Sequence, residues 1–376
     1  MTAPPYAGLL VVDFSRVLAG PFAGMMLADL GARVIKVERP ITGDDSRSYG
    51  PFVDGRSLYF ARVNRGKESV AVDLKDPAGR DLARRIARRA DVVLENFRPG
   101  VMDRLGLGAE TLQRDNPGLI VASISGFGQT GPLRETPAYD AVVQGHSGLL
   151  SITGAADGPP VKPGIPVADL AAGLYAFGAI GAALHARAAT GRGARVDIAM
   201  FDATVSLLEG AALSYLATGR APERIGNAHF SIAPFDTFAC ADGDITICAA
   251  NDTLFGALAA ALRLPELLAD RRYADNAGRH DHRDALKAQL EAALAAGTRD
   301  HWLRQLGGAG VPCGPIADVA EAVSSPQAAA RRMVVTAGGL PVPGQAVKAD
   351  TWPDPVERPA APALDEQGAA IRAEFT

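Results

Sequence analysis

The sequence predicts an α/β protein: a large domain built on a parallel sheet, followed by a smaller α+β domain. Three observations carry that expectation. Apolar β-branched runs alternate with helical patterns over roughly the first 200 residues, which favours parallel strands joined by helices. Residues 218–233 turn polar and turn-forming, and a hairpin-like pair followed by Ala-, Leu- and Arg-rich helices comes after them. At 376 residues the chain is also too long for one compact core, so two or three domains are expected.

The elements follow in order. Residues 8–13 form an apolar strand, residues 21–30 a small-residue helix, and residues 33–38 a second strand. Gly31 stands where a helix C-cap favours a left-handed residue, and Glu38 stands where nucleotide-binding folds place a ribose-binding acid. The intervening loop, Ser15-Arg16-Val17-Leu18-Ala19-Gly20-Pro21, lacks GxGxxG spacing, so no NAD site is expected, and no GxxxxGK[ST] loop occurs. Further strands are read at residues 69–74, 92–95, 120–125 and 194–199, and helices at residues 77–89, 168–186 and 201–216. These give a large domain over residues 1–217, a linker at 218–233, a small domain over 234–332, and a Pro- and Gly-rich tail, 333–376, returning to the large domain.

Composition removes several classes of function. With 48% hydrophobic and 21% charged residues, the chain is neither disordered nor fibrous. A net charge of −4 lacks the positive excess that a nucleic-acid binder needs, so no nucleic-acid partner is expected. Cys240, Cys248 and Cys313 are an odd, scattered set that suits a reducing compartment. Residues 1–6 carry no basic leader, and the nearly uncharged helical run 170–184 is shorter than a bilayer span, so a cytoplasmic protein without a membrane segment is expected. No GxSxG, HExxH or kinase signature occurs, and the arginines around His280 and His282 would repel a cation, so no metal is expected.

Asp169 is the carboxylate that stands out. It begins a long apolar helix with no charged neighbour until His185, which suits either a helix N-cap or a desolvated nucleophile. Arg39, Lys75, Arg98 and Arg104 follow strands, near the sheet edge where open α/β folds bind ligands, which points to an anionic ligand.

Several segments together resemble one family. Residues 12–21, 31–38, 64–69, 95–100 (Glu95-Asn96-Phe97-Arg98-Pro99-Gly100) and 126–132 look like the class III CoA-transferases, the CaiB/BaiF family. The likeness continues through Tyr139-Asp140, the Asp169 segment, Gly226-Asn227-Ala228-His229 and Ala241-Asp242-Gly243, covering nearly the whole chain. The resemblance implies an interlocked homodimer of ring-like chains, each with a Rossmann-like large domain. It implies transfer of CoA from an acyl-CoA thioester to a free carboxylic acid, with Asp169 as nucleophile, through aspartyl anhydride and aspartyl-CoA thioester intermediates. By match to the family's positions, Val17, Leu18, Arg39, Val72, Lys75, Asn96, Phe97, Arg98, Arg104 and Tyr139 would contact CoA, a substrate here, with no tightly bound cofactor.

Two departures bear on the substrate. Formyl-CoA:oxalate members carry a glutamine where Leu18 stands and a glycine run where residues 228–232 stand, so formyl or oxalyl transfer is not expected. Racemases of the same fold pair the aspartate with a histidine where Tyr139 stands, and a phenol with a pKa near 10 is a poor base at neutral pH. The alternatives to a transferase are thus an α-methylacyl-CoA racemase or a non-catalytic CoA-binding protein. His229 is a candidate substrate contact, His146 is left without a role, and Arg47 could meet the distal carboxylate of a dicarboxylic acid such as succinate.

Overall fold

A computed structural model describes residues 3–376; Met1 and Thr2, the first residues of the segment read above for a leader, lie outside the described residues. The chain divides into two compact units, one of Met1–Leu150, Lys162–Pro222 and Ser325–Thr376, the other of Ser151–Val161 and Glu223–Ser324.

The first unit is organised by a six-stranded sheet. Its strands are β1 (Leu10–Asp13), β2 (Arg33–Glu38), β5 (Lys67–Ala71), β6 (Val92–Glu95), β7 (Ile120–Ser125) and β8 (Arg195–Ala199), with a small hairpin of β3 (Phe52–Val53) and β4 (Arg56–Ser57) inserted before β5. All five pairings are parallel, in the order β5-β2-β1-β6-β7-β8. The chain steps outward from β1 through β2 to β5 and resumes on the other side of β1 at β6. The order therefore reverses between β1 and β6, and a crevice opens above their C-terminal ends, the usual ligand position in such sheets.

Helices cover both faces, as buried parallel strands require. The helices along this part of the chain are α1 (Ala19–Asp29), α2 (Leu58–Asn64), α3 (Pro77–Arg89), α4 (Val101–Arg104), α5 (Ala109–Asp115), α6 (Asp140–His146), α7 (Leu149–Ile152), whose last two residues belong to the second unit, α8 (Val167–Thr190), α9 (Met200–Leu207) and α10 (Glu209–Thr218). Val11, Val34, Leu94 and Ile120 pack with α1 and α8 on one face, and Val12, Ile35, Val70 and Val93 pack with α3 on the other. Small residues set the spacing of α1 and α8: a Cβ on Gly173 would stand 2.8 Å from the Ala19 carbonyl oxygen, so the helices meet there backbone to backbone.

Three elements differ from expectation. β5 begins two residues early because Lys67, though charged, is buried and donates to Asp13 (2.7 Å), the Pro21 carbonyl (2.9 Å) and Asn64 (3.0 Å). The single helix expected at 201–216 is two, α9 and α10, joined through Glu209 at φ +36°. α8 runs for 24 residues, four beyond the C-terminal end expected at 186, and by length and composition alone it could cross a membrane, although much of it packs on the sheet.

The second unit holds the antiparallel sheet β11-β10-β9 of β9 (Phe235–Cys240), β10 (Gly243–Cys248) and β11 (Cys313–Pro315). Around it lie α11 (Asp252–Ala261), α12 (Glu266–Ala269), α13 (Asn276–Asp281), α14 (Arg283–Leu294), α15 (Arg299–Gly308) and α16 (Val319–Ser324). Phe238, Ile245, Ile247, Leu258, Leu290 and Leu306 fill its core.

The first unit resumes with α17 (Pro326–Ala330), the strands β12 (Val334–Ala337), β13 (Leu340–Pro343) and β14 (Glu357–Arg358), and α18 (Gly368–Glu374). This segment closes the free edge of the parallel sheet. Gln367 accepts from the Ser69 N–H (2.8 Å), Asp365 accepts from the Ala71 N–H (2.7 Å), and Ile371 joins the core beneath α3. An edge strand left open would offer unpaired backbone groups to other chains.

Candidate active site

Buried charges at the C-terminal ends of β1 and β2 shape the crevice. Lys36 and Asp44 are fully buried and paired at 2.9 Å, and Lys36 also donates to the Ser15 carbonyl (2.8 Å). Asp44 in turn accepts from the Val17 N–H (3.1 Å), while Asn96 and Arg16 exchange two bonds of 2.8 Å, Asn96 Nδ2 donating to the Arg16 carbonyl and the Arg16 N–H to Asn96 Oδ1. Between these ties Val17 is held at φ +68°. A β-branched residue in that region costs about 1–3 kcal/mol, a strain that persists only where surroundings over-determine it.

That loop opens a cavity of about 420 Å³ lined by Arg16, Val17, Leu18, Ala19, Asn96, Phe97, Arg98, Arg134, Tyr139 and Asp169, among others. A second cavity, of about 480 Å³, lies on the far side of Arg16 and Phe97, which line both, and is lined by Arg39, Val72 and Lys75. Nine of the expected contacts are thus brought to one crevice at the sheet's switch point. Arg104 lines neither cavity; it is exposed on α4, whose Val101 and flanking Leu105 face the second one.

Asp169 sits in the first turn of α8, a turn before Gly173, so the close approach of α8 to α1 also brings its carboxyl beside Ala19 in the cavity. It is not the N-cap. Pro166 holds that position without a side-chain bond, and the carboxylate of Asp140 reaches across to accept from the Ala168 N–H (2.8 Å) and the Asp169 N–H (3.3 Å). Gln144 holds the other oxygen of Asp140 at 2.6 Å. The Asp169 side chain is therefore free of capping and faces the cavity. Burial, then the negative charge of Asp140, push its pKa up from 3.8 to about 7, against a smaller opposing pull from Arg62.

Tyr59 and Arg62, a turn apart on α2, went unread in the sequence. Arg62 lies over the Tyr59 ring at 3.7 Å, and Tyr49 meets the same ring edge-on at 5.4 Å. The available signal was Ser57, which caps α2 by accepting from the Phe60 N–H (3.1 Å) and so marks a helix whose i, i+3 face holds both residues. Glu95 was also passed over. It is almost fully buried at the end of β6, accepts from the Phe97 N–H (2.8 Å), and is pushed up to about 7 by burial.

Arg47 lies elsewhere. Its guanidinium is bidentate on Glu38 (2.7 Å), stacks on Phe60 at 3.7 Å and lines a different cavity of about 470 Å³. His229 belongs to the second unit, stacked on Phe230 (4.5 Å) and lining a cavity of about 280 Å³ with Phe235 and Lys287. His146 ends α6 with its ring against Phe127 at 5.1 Å.

The chain is similar to known proteins over nearly its whole length. The sequence profile described as CoA-transferase family III matches residues 6–368. The acetyl-CoA:oxalate CoA-transferase of Acetobacter aceti is 52% identical over 372 residues, 99% of this chain and 96% of that protein. The succinyl-CoA:glutarate CoA-transferase of Mus musculus is 43% identical over 350 residues, 92% of this chain and 80% of that protein. A crystal structure of a CaiB/BaiF family protein from Brucella suis superposes with a TM-score of 0.89 at 43% identity, covering 100% of both chains.

Proposed function

The chain belongs to CoA-transferase family III and is an acyl-CoA:carboxylate CoA-transferase, and on that premise we propose that Asp169 is its covalent nucleophile and that its substrates are dicarboxylic acids. The observation that carries this reading is the Asp169 carboxyl, uncapped and raised to about 7, in the same cavity as Val17–Ala19 and Asn96–Arg98.

In this reading the pantetheine arm follows Val17 and Phe97 into the first cavity, and Arg39 and Lys75 meet the phosphates in the second. A carboxylate oxygen of Asp169 attacks the thioester carbonyl, the C–S bond breaks, and its electron pair leaves on the CoA sulfur, giving an anhydride. The thiolate then attacks Cγ of Asp169, the donor acid departs as carboxylate, and an aspartyl-CoA thioester remains. The acceptor carboxylate attacks that thioester, and the released thiolate takes the acceptor's acyl carbon, restoring Asp169. No proton, oxidant or ATP is consumed, because each step exchanges one activated acyl bond for another. The N-terminus of α1, with no acidic residue in its first turn, places its positive end at the cavity where oxyanion and thiolate develop.

The substrate class rests on the relatives. The A. aceti enzyme is named for oxalate and the mouse enzyme for succinyl-CoA and glutarate, so we count oxalate among the candidate acids, against the expectation drawn from Leu18 and residues 228–232. We also read the chain as an interlocked homodimer; Leu174, Tyr175, Leu213 and Leu216 leave an apolar face of α8 and α10 about half or more exposed, more than an isolated chain usually leaves uncovered.

The test is intact-protein mass spectrometry after mixing with succinyl-CoA, trapping with hydroxylamine, and mapping the modified peptide. A modified Asp169 is expected. Trapping on another residue, or none with a panel of acyl-CoA donors despite measurable CoA binding, refutes the reading.

A further inference from the structure

The two cavities of the crevice share Arg16 and Phe97, so these side chains stand between the space that holds Asp169 and the space lined by Arg39 and Lys75. The Arg16 guanidinium lies 5.4 Å from the centre of the Phe97 ring and pairs with Asp45 at 2.9 Å. A molecule that occupies both cavities passes this ring, and the backbone that carries the ring sets where it stands.

That backbone is tied on two sides. Asn96 and Arg16 exchange two bonds of 2.8 Å, and the Phe97 N–H donates to Glu95 at 2.8 Å. Glu95 is only 5% exposed and sits opposite Ser123 on β7. It lines a third cavity, of about 480 Å³, with Ser123 and Arg98, and neither of the two cavities that make the crevice. Burying an acid costs free energy, and this acid is spent on the backbone of the one aromatic ring at the junction.

Resting on the assignment of the crevice to CoA made above, we infer that Glu95 is a positioning residue: by accepting from the Phe97 N–H it fixes the Phe97 ring at the junction of the two cavities and so sets the affinity for CoA without touching it.

The experiment is calorimetric titration of the full-length protein with CoA at pH 6, beside initial-rate kinetics with succinyl-CoA as donor. At that pH the Glu95 carboxyl, raised to about 7, is mainly protonated, so Glu95→Gln matches its charge and keeps an acceptor. Glu95→Met keeps the bulk and loses the acceptor. In Glu95→Met the dissociation constant of CoA should rise about tenfold, and the loss should appear in KM for succinyl-CoA rather than in kcat or in KM for the acceptor acid. Glu95→Gln should bind CoA within about threefold of wild type, and in a Phe97→Ala background the Glu95→Met change should cost less than about twofold, because the ring it positions is gone. Glu95→Val, an apolar residue suited to a strand, gives the same comparison if the Met variant does not fold. Equal losses with and without the Phe97 ring, a Gln variant as weak as the Met variant, or wild-type affinity without the acceptor would overturn the inference. A Phe97→Ala variant that binds CoA as tightly as wild type would instead sink the assignment of the crevice beneath it.

Discussion

Replacing Asp169 with Asn should stabilise the folded protein while ending turnover. The wild-type carboxyl is raised from 3.8 to about 7, chiefly by burial and then by Asp140. Taken at face value, that displacement is a penalty of about 4 kcal/mol on the ionised form. The side chain is only partly buried, lining an open cavity, so solvent screens the charge and about 1–2 kcal/mol is the better expectation. Against it stands the favourable interaction of an acid in a first helical turn, about 0.3–1 kcal/mol, which the substitution forfeits. The penalty is the larger, so the variant gains. The direction with pH follows from linkage: the folded state holds the proton between about pH 4 and 7 while the unfolded chain has released it, so wild-type stability falls across that window. The advantage of Asp169→Asn should be near zero at pH 4 and full above pH 7. Urea unfolding of both proteins at pH 5 and pH 8 measures it. A variant no more stable at pH 8 than wild type, or an advantage that shrinks as pH rises, would refute the placement of Asp169 as a desolvated carboxyl.

Other substitutions probe the supports of the site. Lys67→Met strands the fully buried Asp13 without its partner at 2.7 Å and should cost about 3–5 kcal/mol in chemical denaturation. Gly24→Ala would put a methyl 2.9 Å from Asp13 Oδ2 and 3.0 Å from Lys67 Nζ, so a loss of about 1–3 kcal/mol is expected, read as a lowered thermal midpoint. Glu95→Gln removes a buried carboxyl raised to about 7; the variant should gain on wild type between pH 5 and pH 8, and parallel pH profiles would contradict that environment.

Much of the site could be read along the chain because its parts are local. The loop from Ser15 to Pro21, the Asn96–Arg98 turn and the Asp169 helix start are short segments whose residue types are dictated by backbone geometry at one sheet edge. Val17 at φ +68° shows the limit of such reading: nothing in a valine announces a left-handed conformation, which Asp44 and Asn96 impose from 27 and 79 positions away. Arg47 shows the opposite error. In the sequence it is a basic residue near a candidate loop, while in the fold Glu38, nine positions earlier, has already taken its charge.

What the sequence by itself determined was the alternation of strands and helices and the family, and it singled out the aspartate proposed as nucleophile. Periodicity, β-branching and motif spacing are properties of neighbouring residues and survive in one dimension. Tertiary structure alone decided which charges remain available. Asp140, 29 positions before Asp169, caps the helix beneath it and raises its pKa; Arg62 rests on Tyr59 with no carboxylate among the described residues within ion-pair distance; and Arg104 lines neither cavity. Pairing and burial depend on distances between segments far apart in the chain, and those distances exist only once the sheet has brought its C-terminal edge together.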